Sequence, residues 1–190
     1  MACSVTKGKA RYCKIQPGGI EKVYVIDFFD ANAADTLTAT AGVLTASSGL
    51  TSKSSSAGTY FPFTCDPYLS SMNQTIVVNE SGGVGFQQDL ELVFKGISGA
   101  ADLEMLNLAN GTYQIAILGN DGIVYFCGLK KGLICTGGSF GHNGDKALSD
   151  NQAYTLTFSC IEQSPAQNCG TDTNFTGQGD VSISTSLVTG

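Results

Sequence analysis

The sequence holds no tryptophan, one histidine, four prolines and little charge across 190 residues. Charged side chains make up 14% of the chain, against about 25% in an ordinary soluble domain. Each scarcity excludes something. The lone histidine, His142, sits in the turn-like stretch Gly141-His-Asn-Gly144 with no supporting motif around it. Without a second histidine, neither a Ser-His-Asp nor a Cys-His arrangement has another candidate base. Ten Lys and Arg in a chain of formal net charge −6 do not make the clustered basic surface that grips nucleic-acid phosphates. The longest apolar runs are residues 23–26, 115–118 and 123–127, far short of the roughly 18 needed for a membrane span, so no membrane anchor is expected. Nor does an apolar run of about 7–15 residues follow the first basic groups, which predicts folding in a cytosol and not export.

Other motifs are missing too. The Gly-rich stretches 81–85 and 136–138 are not followed by Gly-Lys-Ser/Thr, so no phosphate loop is indicated. Asp121, Asp145 and Asp150 lie in turn compositions without the alternating acidic ligands of a calcium loop. The expectation is a protein with no catalytic, cofactor-binding or metal-ligating set, and not an enzyme.

Seven cysteines, at 3, 13, 65, 127, 135, 160 and 169, are the conspicuous exception to this sparseness. Their number is odd, and a reducing cytosol keeps thiols reduced. No pair lies two to four residues apart, as structural zinc sites require. They are expected to serve as small buried hydrophobes. One local pairing is conceivable: if Lys130-Lys131-Gly132 is a hairpin loop with Gly132 left-handed, Cys127 and Cys135 face each other across it.

What is present points to β-structure. Gly (24 residues), Ser and Thr are abundant, and 42% of the chain is hydrophobic, so it is turn-rich but not disordered. A chain of this length buries roughly 70% of its unfolded surface and needs no metal or disulfide to hold a core. Residues 22–29 (KVYVIDFF) are a strand signal, 36–40 a weaker one, and 60–65 a short strand placed at an edge by Pro62. Residues 46–58 have no periodicity and predict a long loop. Residues 75–80 and 86–95 flank Ser81-Gly-Gly-Val-Gly85 and predict a hairpin. In its second arm Leu90, Leu92 and Phe94 alternate with Asp89, Glu91 and Val93, so one face is buried and the other largely polar.

One convincing helix follows, over residues 99–110. Ser98 caps it, Asp102 and Glu104 suit the positive end of its dipole, and Gly111 ends it. Its apolar stripe is Ala101, Met105 and Leu108, with Leu103 and Leu106 beside it. Strands are then expected at 112–118 and 123–129, joined by Gly119-Asn-Asp-Gly122, at 133–140, and at 154–160, where Tyr154, Leu156, Phe158 and Cys160 alternate with polar residues. A last alternating run, 181–187, has no evident local partner, which fits either docking on a neighbouring subunit's sheet edge or a disordered tail.

The charge is unevenly placed. Residues 1–22 carry Lys7, Lys9, Arg11, Lys14 and Lys22 against Glu21 alone, a local +4 that leaves −10 on the remainder of a −6 chain. A basic arm on an acidic body suggests contacts between subunits. The expected organisation is therefore an N-terminal arm (1–22), one β-rich core domain (23–163) and a C-terminal extension (164–190).

From residue 86 onward the order of elements resembles a known family. A hairpin arm, a single helix, the stretch NDGIVYFCGLKKGLICTGGSF and then GHNGDKALSDNQAYTLTFSCIE look like the C-terminal half of tail tube proteins of long-tailed bacteriophages. The family's G-x-x-x-GD-x-x-x-Y-x-L-T-F pattern appears loosely as Gly144-Asp145 through Tyr154, Leu156, Thr157 and Phe158, with Ser149 where the pattern has its second glycine. The resemblance covers residues 86–162 and rests on order, not on any single motif. It implies an antiparallel β-sandwich or barrel-like core with one flanking helix. It also implies homo-hexameric rings stacked into a tube in the virion tail, assembled in the host cytoplasm, and contacts with sheath, tape-measure or tail-completion proteins. DNA would pass the lumen without specific binding, and Asp89 and Glu91 would face that lumen. The arm residues Lys7, Lys9, Arg11 and Lys14 would join subunits, as would residues 46–58 and 164–190. Two alternatives are a secreted or surface β-sandwich binding module and another ring component of a phage tail or contractile injection system.

Overall fold

The computed structural model describes residues 18–28, 39–40, 43–44, 58–78, 80, 82–141, 153–176 and 181–185. The arm carrying Lys7, Lys9, Arg11 and Lys14 lies outside the described residues, as do loop residues 46–57, His142 and the Gly144-Asp145 part of the family pattern. The strands are β1 (Ile20–Asp27), β2 (Ala39–Thr40), β3 (Val43–Leu44), β4 (Gly58–Thr64), β5 (Ser71–Val78) and β6 (Val84–Lys95). Helix α1 (Gly99–Asn110) follows, then β7 (Thr112–Gly119), β8 (Ile123–Cys127), β9 (Leu133–Gly141), β10 (Ala153–Glu162), β11 (Gln167–Thr171), the short α2 (Asp172–Thr176) and β12 (Val181–Ile183). The protein is mainly β and largely antiparallel, with one long helix among the described residues, as the sequence predicts.

Strand β7 is the corner of the architecture. It pairs with β1 along one edge; along the other it pairs first with β9, through Thr112 and Tyr113, and then with β8, through Ile115 to Leu118. The chain thereby divides into two layers. Sheet one runs β5-β6-β10-β9. Sheet two runs β4-β1-β7-β8-β11, with β3 and β2 beyond.

The two sheets differ in how they are covered, and the sequence carries that difference. Sheet one alternates: Leu90, Leu92, Phe94, Tyr154, Leu156 and Phe158 face the core, while Asp89, Glu91, Thr155, Thr157 and Ser159 interleave with them. Sheet two is apolar on both sides. Val23, Val25, Ile115 and Ile117 join the core shared with sheet one, whereas Tyr24, Ile26, Ala116, Leu118, Val124 and Phe126 form a second core on the far face. A strand covered on both faces has no solvent side, so its apolar run is continuous.

Helix α1 covers the shared core with Met105 and Leu108. Ser98 Oγ accepts from the Ala101 N–H at 3.2 Å, and Asp102 accepts from the Tyr154 hydroxyl, tying the helix N-terminus to β10. Leu103 and Leu106, expected beside the buried stripe, instead face solvent. Gly111 ends the helix in an extended conformation, not a left-handed one. A Cβ there would lie 2.1 Å from the Tyr113 hydroxyl oxygen, so any other residue would have to displace that ring from its bond to the Asn107 carbonyl.

The stretch expected as a C-terminal extension contributes to the second core. Phe175 is fully buried, its ring 5.3 Å from Tyr24 and 5.5 Å from Tyr60, and Cys169 is buried with it. Tyr24 donates its hydroxyl to Asp172 at 2.6 Å. Strand β12 pairs in parallel with β4 of its own chain, Val181 opposite Gly58 and Ile183 opposite Tyr60. This corrects the expectation that the run beginning at Val181 seeks a neighbouring subunit: the edge of β4 is its local partner. Pro62 has no N–H, so the ladder has no donor there to continue on.

If Phe175 is a core residue, Phe175→Ala lowers unfolding free energy by about 3–5 kcal/mol, the usual cost of deleting a buried aromatic ring. Urea denaturation measures this. A loss within about 0.5 kcal/mol, typical of a surface change, would return the segment to the status of a loose extension.

Candidate assembly face and the poles of the sandwich

The outer face of sheet one is built in rows by strand register. Ser71, Glu91, Thr157 and Gly137 form one row, and Asn73, Asp89, Ser159 and Ile134 the next. Thr75, Gln87 and Ile161 form a third. The strands of this sheet carry no basic residue except Lys95 at the end of β6, which pairs with Asp66. Asp89 and Glu91 thus lie on the polar side of the hairpin, where the alternation of β6 puts them. Asp89 is half-buried and accepts from Ser159 Oγ at 2.5 Å and from Gln87 Nε2 at 3.0 and 3.1 Å; Glu91 is exposed. The face is a largely polar, mostly uncharged surface with two carboxylates near its centre and two exposed isoleucines, Ile134 and Ile161.

Both margins of this sheet are open among the described residues. No described strand pairs with the outer edge of β5, and none pairs with β9 beyond Ile134 on the side away from β10. The four strands alternate in direction, so the two open edges run opposite ways.

The ends of the sandwich are equally distinct. At one pole the turn from Asp66 to Ser70 is braced from all sides. Asp66 Oδ1 accepts from the Tyr68 N–H at 2.9 Å, and the Asp66 carbonyl accepts from Ser70 at 3.0 Å and Leu69 at 3.3 Å. Lys95 pairs with the Asp66 carboxylate, Ser70 Oγ accepts from the Val93 N–H at 3.0 Å, and Asn120 Nδ2 reaches the Gly18 and Pro67 carbonyls. The Lys95 ammonium and the Tyr68 amide hold the Asp66 carboxyl below the usual carboxylate range. The turn presents Tyr68, 92% exposed, and Leu69, 54% exposed.

At the other pole the connection from β8 to β9 turns through Gly128 and Gly132, both left-handed. Three buried polar side chains hold it. Gln88 accepts from the Gly128 N–H at 3.0 Å, Glu162 from those of Lys130 and Lys131 at 2.9 and 2.8 Å, and Gln114 donates to the Leu129 carbonyl at 2.8 Å. None of the three is anticipated by motif. Their signal is positional: Gln88 and Glu162 fall in the same alternation phase as Leu90 and Phe158, and Gln114 in that of Ala116. A polar residue at an apolar phase marks a buried hydrogen-bond partner.

The cysteines do not form the suggested pair. Gly132 is left-handed as expected, but β8 and β9 are not hairpin partners: Cys127 lies opposite Ile115, and Cys135 opposite Phe158. All five described cysteines are free thiols. Burial pushes the Cys65, Cys160 and Cys169 thiols up to about 12 and raises Cys127 as well, so none of these four is a ready nucleophile. Among the described residues no group of three or more His, Cys, Asp or Glu is placed to hold a metal, and no helix is long and apolar enough to cross a membrane. Of the described residues of that pattern, Tyr154, Leu156 and Phe158 are buried in the core, and Thr157 lies on the outer face beside Glu91.

The chain matches no protein-family model, no curated protein and no solved structure.

The depressed Asp66 carboxyl fixes a sign. Its contribution is present above the unfolded value, about 3.9, and is lost as pH falls through the lower folded value. The stability gap between wild type and Asp66→Asn is therefore widest near neutrality and narrows below about pH 4. Urea midpoints of both proteins from pH 7 to pH 3 measure it; a gap independent of pH would remove the carboxylate from the bracing of the turn.

Proposed function

We propose that this chain is a structural ring subunit of a bacteriophage tail tube, with the outer face of sheet one turned to the lumen. It is assembled in the host cytoplasm and carried in the virion. The observation that supports this most directly is a polar, weakly acidic sheet face bounded by two open edges of opposite direction. Exposed edges invite pairing with other chains, and closure into a ring removes them. With four alternating strands per copy, β9 of one copy meets β5 of the next in antiparallel fashion, and the sheet continues around the ring without a break in pattern. A lumen face of Ser, Thr, Asn, Gln, Asp89, Glu91, Ile134 and Ile161, on a sheet whose one described basic residue, Lys95, is paired with Asp66, offers no free cation to hold phosphate, so DNA slides past without sticking.

Two outcomes test this. Electron microscopy of the purified protein at high concentration is expected to reveal rings or tubes; monomers alone would remove the reading. Tubes carrying Asp89→Lys and Glu91→Lys are expected to retain short double-stranded DNA at low salt and release it as salt rises, while wild-type tubes retain none. Equal retention by both would take these residues out of the lumen.

A further inference from the structure

Helix α1 ends on the dipeptide Asn110-Gly111, with Asn110 exposed to solvent. An asparagine followed by glycine is a reactive pair. The glycine amide nitrogen can attack the side-chain carbonyl carbon of the asparagine, and with no Cβ on the glycine little hinders the approach. The chain holds one other such pair, Asn143-Gly144, which lies outside the described residues. At Asn110 the fold occupies both reacting groups. The Gly111 N–H donates to the Asn107 carbonyl at 3.1 Å. Asn110 Nδ2 donates to the Leu106 carbonyl at 2.9 Å, which turns the side chain back along the helix and away from the Gly111 nitrogen. Tyr113 completes the closure. Its hydroxyl donates to the same Asn107 carbonyl, and its ring stands so close over Gly111 that a Cβ there would lie 2.6 Å from Cε2. Attack requires the Asn110–Gly111 peptide to rotate, and rotation breaks the first two bonds and pushes against the ring.

We propose that Asn110 is a self-modification site, a deamidating asparagine that the folded end of α1 holds closed and that opening of that end releases. In the first step the Gly111 nitrogen bonds to Asn110 Cγ and gives up its proton. The Cγ–Nδ2 bond breaks, ammonia leaves, and a five-membered imide remains. Water then opens the imide at one carbonyl or the other, leaving aspartate or isoaspartate. Water is the only co-reactant, and nothing is oxidised or reduced. The product weakens the element that protected it. A carboxylate at position 110 has no N–H to give the Leu106 carbonyl. Its charge sits at the negative end of the helix dipole, and the last turn carries no basic residue to offset it. The isoaspartate form also lengthens the backbone by one carbon, which moves the Gly111 N–H off the Asn107 carbonyl. Met105 and Leu108, through which α1 covers the shared core, lie in the turns just before. A copy that lingers unfolded is thus marked, and it refolds with a looser helix. The inference stands on the helix end alone and is independent of the ring reading.

The experiment incubates the full chain at neutral pH, folded in buffer and unfolded in guanidinium chloride. Peptide mapping by mass spectrometry follows aspartate and isoaspartate at Asn110, resolved from Asn143. Conversion at Asn110 is expected in guanidinium and is expected to be at least about tenfold slower in buffer, where the end of α1 must first open. Tyr113→Phe keeps the ring and removes only its hydroxyl bond. It is expected to speed conversion several-fold in buffer and to leave the guanidinium rate unchanged. Asn110→Asp, which imitates one product, is expected to have a lower thermal midpoint than wild type. No conversion in guanidinium would overturn the site. Equal rates in buffer and guanidinium would overturn the closure by the fold. A Tyr113→Phe rate in buffer equal to wild type would take Tyr113 out of that closure, and an unchanged midpoint for Asn110→Asp would overturn the weakening of the helix.

Discussion

The five residues between β8 and β9 carry the chain from one sheet to the other, and the rest of the sandwich depends on how they are held. A turn this tight inside a protein leaves backbone groups facing inward, and each unpaired one costs about 1–3 kcal/mol. Gln88 from β6, Gln114 from β7 and Glu162 from β10 pair with four of them. The same bonds fix the registers of three strands relative to one another. A slip of one residue in β6 or β10 would carry Gln88 and Leu90, or Glu162 and Phe158, to the outer face and bring their polar sequence neighbours inward. The shared core and the polar face are therefore set by one connection.

Much of this was legible in the sequence, and the boundary of what was legible is physical. The continuous run Val23–Ile26 and the alternation through Leu90, Leu92 and Phe94 gave strands correctly, because burial on two faces and on one face leave different patterns. The cap at Ser98 and the turn at Gly119-Asn-Asp-Gly122 are local chemistry and were readable as such. What failed was non-local. Nothing near Val181 says that its partner is Gly58, more than a hundred residues earlier, or that Phe175 completes a cluster begun by Tyr24. The supposed Cys127–Cys135 pairing failed for a similar reason: the left-handed Gly132 was right, but the chain uses it to change sheets and not to form a hairpin. For the candidate site, the alternation of β6 placed Asp89 and Glu91 on one polar face, whereas the open edges and the two poles emerge only from strand order.

The two sheets have separate tasks. The central strands of sheet two, β1, β7 and β8, are buried on both sides and carry both cores. Sheet one is buried on one side only and leaves a polar surface, two edges and two ends available for contact. The proposed role makes no use of the Cys65, Cys127, Cys160 and Cys169 thiols, whose ionisation burial opposes. If copies close into a ring as proposed, affinity between them would come from repeated edge contacts, multiplied by the number of subunits.

The hydrogen bond from Tyr24 to Asp172 spans 148 positions. During synthesis at about 5–20 residues per second, Tyr24 emerges roughly 7–30 s before the segment that covers it. Throughout that interval the far face of β1 lacks the cover that Phe175 supplies, and the late closure of so long a loop favours slow folding. The nascent chain is therefore at its most vulnerable to wrong pairings before Phe175 arrives, and its yield in the cell depends on how well that interval is protected.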